Sequence, residues 1–421
     1  MTVDIDRWVD RDLGLIAREL QPAFEVDDLV AQAEEVLRAA GNRTPVLVGA
    51  NGVGKTAIIH ELVRRAHDGR GVPLLRQARV LQFSMRAISA RFKEKSDGAN
   101  FFGELVSAIL ASPDPIVPFF KDIHLAYMLD WEPSLHRLLS SLPHGALGEG
   151  LPRELEQLVD YWSDLSEHLV PIPVEEPPTD KVRAIVARWC DHQHARGRNF
   201  RPEAQRGAIE LTARFMGDRP FPRKVLELLR QTADFTPAED GETRPVTLRD
   251  VVRRFGQLTR VPERLVDPDH QLDLAEVHDF VAHRLLGQDE AVDAVVRMIA
   301  LMKAGLADLR RPFGTFLFVG PTGVGKTFCA QLLAEYLFGD AHRLLRLNLA
   351  DYGEAYHVAV LFGDPHGHSP NDQRGLLTRR LAGNPFGVLL LDEFEKANPR
   401  VHDGFLQLID EGRFINGMGE P

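Results

Sequence analysis

The residues best suited to chemistry occur twice in this chain. Gly49-Ala50-Asn51-Gly52-Val53-Gly54-Lys55-Thr56 and Gly320-Pro321-Thr322-Gly323-Val324-Gly325-Lys326-Thr327 both spell GxxxxGK[ST]. In such a run the glycines let backbone N–H groups turn inward around phosphates, the lysine reaches the β- and γ-phosphates, and the threonine hydroxyl serves magnesium. The chemistry expected is the binding of ATP with Mg2+. Gly49, Gly52, Gly54, Lys55 and Thr56 would hold one nucleotide. Gly320, Pro321, Thr322, Gly323, Val324, Gly325, Lys326, Thr327 and the following Phe328 would hold a second. Only the second loop is followed by a matching pair of acids. Asp392 comes 66 positions after Lys326 and ends the apolar run Val388-Leu389-Leu390-Leu391, with Glu393 next. A strand end beside a phosphate loop puts one carboxylate in the magnesium shell and lets the next polarise the attacking water. Thr327 and Asp392 are therefore the expected metal residues, and Glu393 with Lys326 the expected catalytic pair.

These loops work only if a strand delivers the chain to them and a helix leaves them. Pro45-Val46-Leu47-Val48 and Phe316-Leu317-Phe318-Val319 read as buried parallel strands. Ile58, Ile59, Leu62 and Val63, and again Ala330, Leu333, Ala334 and Leu337, follow at helical spacing, so each loop opens a helix whose positive end meets the phosphate. The fold expected is α/β: two tandem modules, each a parallel sheet flanked by helices, with an all-helical domain between them. The expected divisions are a helical lead-in over residues 1–40, a first module over 41–173, a helical domain over 174–233, a linker with connecting helices over 234–285, and a second module over 286–421. The join Pro171-Ile172-Pro173-Val174-Glu175-Glu176-Pro177-Pro178 marks the first boundary, and the polar stretch from Asp234 to Pro245 the linker.

A chain of 421 residues with 44% hydrophobic content can bury several cores. Its net charge of −11 argues against a polyanion as partner, so no nucleic acid is expected. Cys190 and Cys329 stand far apart in no ligand-spaced pattern, which fits a reducing compartment. No apolar run approaches the length of a membrane span, and Met1 to Arg7 lacks the basic-then-apolar character of a signal peptide; cytoplasm and no membrane partner are expected.

The stretch Leu285-Leu286-Gly287-Gln288-Asp289-Glu290-Ala291, the second phosphate loop, Asn348-Leu349-Ala350-Asp351-Tyr352, Leu391-Asp392-Glu393-Phe394-Glu395-Lys396-Ala397-Asn398-Pro399 and Gln407-Leu408-Ile409-Asp410-Glu411-Gly412-Arg413 resemble, in order and spacing, the second ATPase module of the Clp protein-remodelling ATPases. Asp218-Arg219-Pro220-Phe221-Pro222-Arg223-Lys224-Val225 is similar to the lid of the family's first module. The resemblance runs from about residue 40 to the end. It implies tandem AAA+ modules, Leu286 among the nucleotide contacts, a homo-oligomeric ring of six subunits, and ATP-driven threading of protein substrates, with a peptidase or adaptor left unnamed.

Set against that family pattern, the first module departs at its catalytic positions. Lys121 follows Lys55 by 66 positions, where the second module has Asp392, and Asp122 takes the place of Glu393. The family's arginine pair aligns with Glu167 and His168, and its polar sensor with Gly150-Leu151. The first site is expected to bind nucleotide and to hydrolyse it poorly or not at all. The family's pore-gripping aromatic aligns with His368 in the second module, whereas Arg91-Phe92-Lys93 keeps Phe92 in the first; Phe92 reads equally as a gripping residue and as a core phenylalanine. His366 and His368 lack a third ligand nearby and read as a loop rather than a metal site. The family's coiled-coil insertion and its separate N-terminal domain have no room here, and a fragment or a truncated product is expected because the chain stops soon after Glu393. Two functions compete: a protein-remodelling ATPase and a scaffold whose assembly is gated by nucleotide.

Overall fold

Five short apolar runs in the first half become the parallel strands of one sheet. In the computed structural model, which describes residues 3–417 apart from 40, 218, 237, 240–241, 268–269, 272, 305–310, 340–342, 365–366, 368, 383–385 and 413, the strands are Arg11–Asp12 (β1), Thr44–Val48 (β2), Arg79–Ser84 (β3), Ile116–Lys121 (β4), Leu147–Gly150 (β5) and Leu169–Pro173 (β6). Their order is β1-β3-β4-β5-β2-β6. All neighbours are parallel except β1, which pairs antiparallel with β3 at the edge.

Both faces of this sheet are covered, which is why its strands are nearly continuous in apolar residues. Leu47, Phe119 and Leu147 look toward the helices Asp27–Arg38 (α1) and Lys55–His67 (α2), through Val30, Ala33, Ile58, Ile59 and Leu62. On the other face Val46, Phe83 and Phe120 pack with Phe102, Trp131 and Leu135. The predicted strand at 45–48 and the predicted helix through Ile58 and Leu62 are thus both present.

The lead-in over residues 1–40 is helical only in α1. Before it, Ile5–Arg7 is a single 3-10 turn, and Asp12 accepts hydrogen bonds from the Gly14 and Leu15 amides and from Arg79, which turns the chain along the sheet edge instead of into a helix.

The chain divides into two compact units: Met1–Ala195 with Arg219–Leu226, and Arg196–Asp218 with Glu227–Pro421. The stretch expected as one helical domain is shared between them. Helix Thr179–His194 lies in the first unit, and helices Pro202–Phe215 and Leu248–Thr259 pack together in the second. Within the expected linker Ala238–Glu239 (β7) pairs with Glu242–Thr243 (β8).

In the second unit Leu344–Asn348 (β9) and Val388–Asp392 (β10) form a two-stranded parallel sheet, with Asp392 opposite Asn348. The predicted strand Phe316-Leu317-Phe318-Val319 is not a strand here, and Leu317 and Val319 are 81% and 86% exposed. The physical reason is local. Its counterpart β2 is held between β5 and β6, whereas among the described residues no strand pairs with 316–319, so its amides have no ladder partner. The helix Lys326–Phe338 nonetheless forms, with Ala330, Leu333, Ala334 and Leu337 buried as their spacing predicts.

Candidate nucleotide-binding sites

Both phosphate loops take the same backbone path. Gly52 and Gly54 have φ of 107° and 110°, Gly323 and Gly325 have 89° and 97°, and each second glycine of the pair caps the helix that starts at the lysine. A side chain there would hold the backbone in the strained left-handed region, so the turn that aims N–H groups at a phosphate requires glycine. Each lysine curls back onto its own loop. Lys55 Nζ donates to the Gly49 and Ala50 carbonyls at 2.6 and 3.0 Å, and Lys326 Nζ to the Gly320 and Pro321 carbonyls at 2.7 and 2.8 Å.

The surroundings of the two loops differ. In the first, Lys55 is buried, and burial pulls its ammonium below the ordinary lysine range while the Glu149 and Asp122 charges push the other way. The Thr56 hydroxyl donates to Glu149 Oε2 at 2.6 Å. Glu149 is itself buried in β5, and that burial raises its carboxyl, opposed by the Thr56 hydrogen bond and by the Lys121 and Lys55 charges. Asp122, at the end of β4, has φ of 56° and pairs with Arg86 at 3.6 Å. Over the loop lies the segment 219–223: a methyl group placed on Gly52 would meet Pro220 Cγ at 3.3 Å and Arg223 Cβ at 3.4 Å. Behind it Gly49 has no room at all, since a Cβ would stand 2.1 Å from the Val174 carbonyl oxygen.

The second loop lines an open cavity of about 2370 Å³ together with Asp392, Glu393 and Arg346. Asp392 Oδ2 accepts from Arg346 Nη2 at 2.5 Å and Nε at 3.1 Å, and Glu393 Oε2 accepts from Lys396 Nζ at 2.8 Å. Gln288 Nε2 donates to the Val324 carbonyl at 3.2 Å, tying the segment ahead of the module to its loop. Leu286 is 81% exposed and Phe328 about half that. A hydroxyl at Thr327 and a carboxylate at Asp392 are hard oxygen donors lining the same cavity, a set that suits magnesium. The first loop does not suit it: the strand position that should supply the carboxylate carries Lys121, and the Thr56 hydroxyl is already given to Glu149.

Sequence reading alone missed Glu149 and Arg346, and placed Arg223 only within the lid-like segment. An acid inside the otherwise apolar and glycine-flanked run Ala146-Leu147-Gly148-Glu149-Gly150 was the available signal for the first. Phe92 is half-buried, its ring 5.9 Å from that of Trp8 and 5.1 Å from that of Phe101, with Arg91 over Trp8 at 4.5 Å. His366 and His368 lie outside the described residues, and among those described no group of three or more metal-ligating side chains occurs. No helix among them is long and apolar enough to cross a membrane.

Residues 311–421 match the family model described as AAA domain (Cdc48 subfamily). The chain is 28% identical over 95% of its length to the ATP-dependent Clp protease ATP-binding subunit ClpE of Lactococcus lactis, and 27% identical over 97% to the negative regulator of genetic competence ClpC/MecB of Bacillus subtilis. It spans 61% and 59% of the length of those two relatives. Among solved structures, Hsp104 in a closed-state cryo-EM reconstruction with ATPγS and FITC-casein superposes with a TM-score of 0.77 at 28% identity, covering 99% of this chain and 73% of that one. The extended conformation of the S. cerevisiae Hsp104:casein complex gives 0.76 at 27%. Two phosphate loops of one geometry, the acid pair at the end of β10 and these likenesses along nearly the whole chain point the same way: residues 311–421 match an AAA domain, and the chain is similar over most of its length to Clp-type AAA+ ATPases.

Proposed function

We propose that the chain is an ATP-hydrolysing protein-remodelling ATPase in which the second module hydrolyses and the first holds a mainly structural nucleotide. The observation that carries this reading is the contrast between two equivalent strand ends, Asp392-Glu393 at β10 and Lys121-Asp122 at β4. In the second site Lys326, leaving its loop carbonyls, and the Gly323 to Thr327 amides would hold the nucleotide's phosphates. Thr327 and Asp392 would hold magnesium, whose chemistry there is to neutralise charge on the transferring phosphoryl group. Asp392 must first give up part of its contact with Arg346, and Glu393 its contact with Lys396, before Glu393 can accept a proton from water.

Steady-state ATP hydrolysis by the 421-residue chain tests this directly. Glu393→Gln is expected to lower turnover at least about a hundredfold while nucleotide still binds, and Lys326→Ala to abolish turnover. Turnover that survives Glu393→Gln would overturn the assignment of the second site.

Polypeptides are the proposed substrates, by likeness to casein-bound Hsp104, and a six-membered homo-oligomeric ring in the cytoplasm is the proposed working form. One observation favours the scaffold reading instead. The Phe92 ring, proposed to grip a threaded chain, is engaged by Trp8 and Phe101. ATP-dependent unfolding of a tagged fluorescent protein separates the two readings. Loss of unfolding in Phe92→Ala at an unchanged melting temperature supports threading, and no unfolding by the parent chain supports the scaffold.

A further inference from the structure

The end of β4 puts a cation where the corresponding end of β10 has the magnesium carboxylate. Lys121 pairs with Ser84 of β3, and the β4–β5 register, Phe119 with Leu147 and Phe120 with Gly148, brings it beside Glu149. Phe119 looks toward the α2 face of the sheet, so Lys121, two residues on, projects to that same face, where Lys55 and Thr56 begin α2. Lys121 bears electrostatically on both Glu149 and His60 from that side. Among the described residues its side chain makes no ion pair or hydrogen bond of its own.

Glu149 completes the arrangement. Its carboxylate accepts the Thr56 hydroxyl, the group that would otherwise bind a metal, and its negative charge interacts with both Lys55 and Lys121. A dication entering here would meet the Lys121 ammonium, while Glu149 already accepts the Thr56 hydroxyl and feels both lysines, and Asp122 pairs with Arg86 at 3.6 Å. A nucleotide's phosphates would instead meet two ammonium groups and the loop amides, with no metal required.

We propose that the first phosphate loop binds ATP or ADP without a divalent metal, with Lys121 supplying the positive charge that magnesium would supply in the second site and Glu149 holding the Thr56 hydroxyl. The proposal rests on the reading of the first loop as a nucleotide site.

The test uses the full chain carrying Lys326→Ala, which disables the second loop, and a fluorescent ADP analogue titrated in excess Mg2+ and in excess EDTA. The expected result is binding in both, with affinities within about threefold of each other. Lys121→Met is expected to weaken binding in EDTA by roughly tenfold or more, and Lys121→Arg to restore most of it. Lys121→Asp is expected to make binding depend on Mg2+. Melting curves of each variant without nucleotide confirm that the fold is retained. Binding in Mg2+ that disappears in EDTA would overturn the proposal and leave Glu149 as a relocated metal ligand. An unchanged affinity in Lys121→Met at an unchanged melting temperature would also overturn it. Absence of binding under both conditions would overturn the underlying reading of the site as well.

Discussion

Replacing Glu149 by glutamine removes a buried charge while leaving an amide oxygen to accept the Thr56 hydroxyl. Burial holds the native carboxyl above its ordinary range, so the folded state favours the protonated form. The contribution of such a group is fully present below the ordinary carboxylate value and is lost as pH rises through the raised one. Glu149→Gln without nucleotide should therefore melt no lower than the parent at pH 8, and its advantage should shrink as pH falls toward the carboxylate range; a clear destabilisation at pH 8 would contradict this. The cysteines give a second expectation. Burial pushes the Cys190 thiol up to about 12 and raises that of Cys329, so both should resist alkylation at pH 8 until the chain is denatured, as intact mass would show. Positions fixed by spacing along the chain were legible in the sequence: Lys55 and Lys326 at helix starts, Asp392 at the end of β10, and Lys121 at the end of β4. The roles of Glu149 and Arg223 were not, because each matters through a neighbour brought to it by the sheet or the lid segment, and no spacing along the chain encodes that.

Helix Leu248–Thr259 shows how much a single element can depend on its first turn. Thr247 and Asp250 form a reciprocal cap, and Arg244 grips Asp250 through two hydrogen bonds of 2.8 and 2.7 Å. The Arg244 guanidinium holds the Asp250 carboxyl well below the usual aspartate range. Asp250→Asn should cost about 1–3 kcal/mol at pH 7 by chemical denaturation. A depressed carboxyl stabilises above its unfolded value, near 3.8, and loses that contribution as pH falls further, so the difference between parent and variant should narrow only below that point. The cap follows from Thr247 preceding Asp250 by three residues. Strands were legible where buried on both faces, as in β2, and α2 was legible from Ile58, Ile59, Leu62 and Val63. The run 316–319 has the composition of β2 without its neighbours, and a strand is a property of its partners as much as of its residues. Residues 3–26 failed for the opposite reason: their apolar side chains pack at a sheet edge, and Asp12 sets a turn that helical periodicity does not report.

At the scale of the molecule, charge and exposed surface dominate. A net charge of −11 leads us to expect no detectable shift of a labelled DNA duplex at physiological salt, and binding that survives there would reopen a nucleic-acid function. Leu317 and Val319 add apolar surface beside the second loop, and the chain should accordingly bind a hydrophobic dye and scatter light as concentration rises. The two-module plan was legible because the phosphate loop is repeated; the division into units was not, because it passes through the helical segment between them. The packing of Pro220 and Arg223 over Gly52 bears on how the protein will emerge from purification. On the proposal that the first loop holds nucleotide, that segment would cover it, and release is expected to be slow compared with a chromatography run. The isolated chain should carry a bound purine through its columns, visible as excess absorbance at about 260 nm that persists after desalting and is freed by acid.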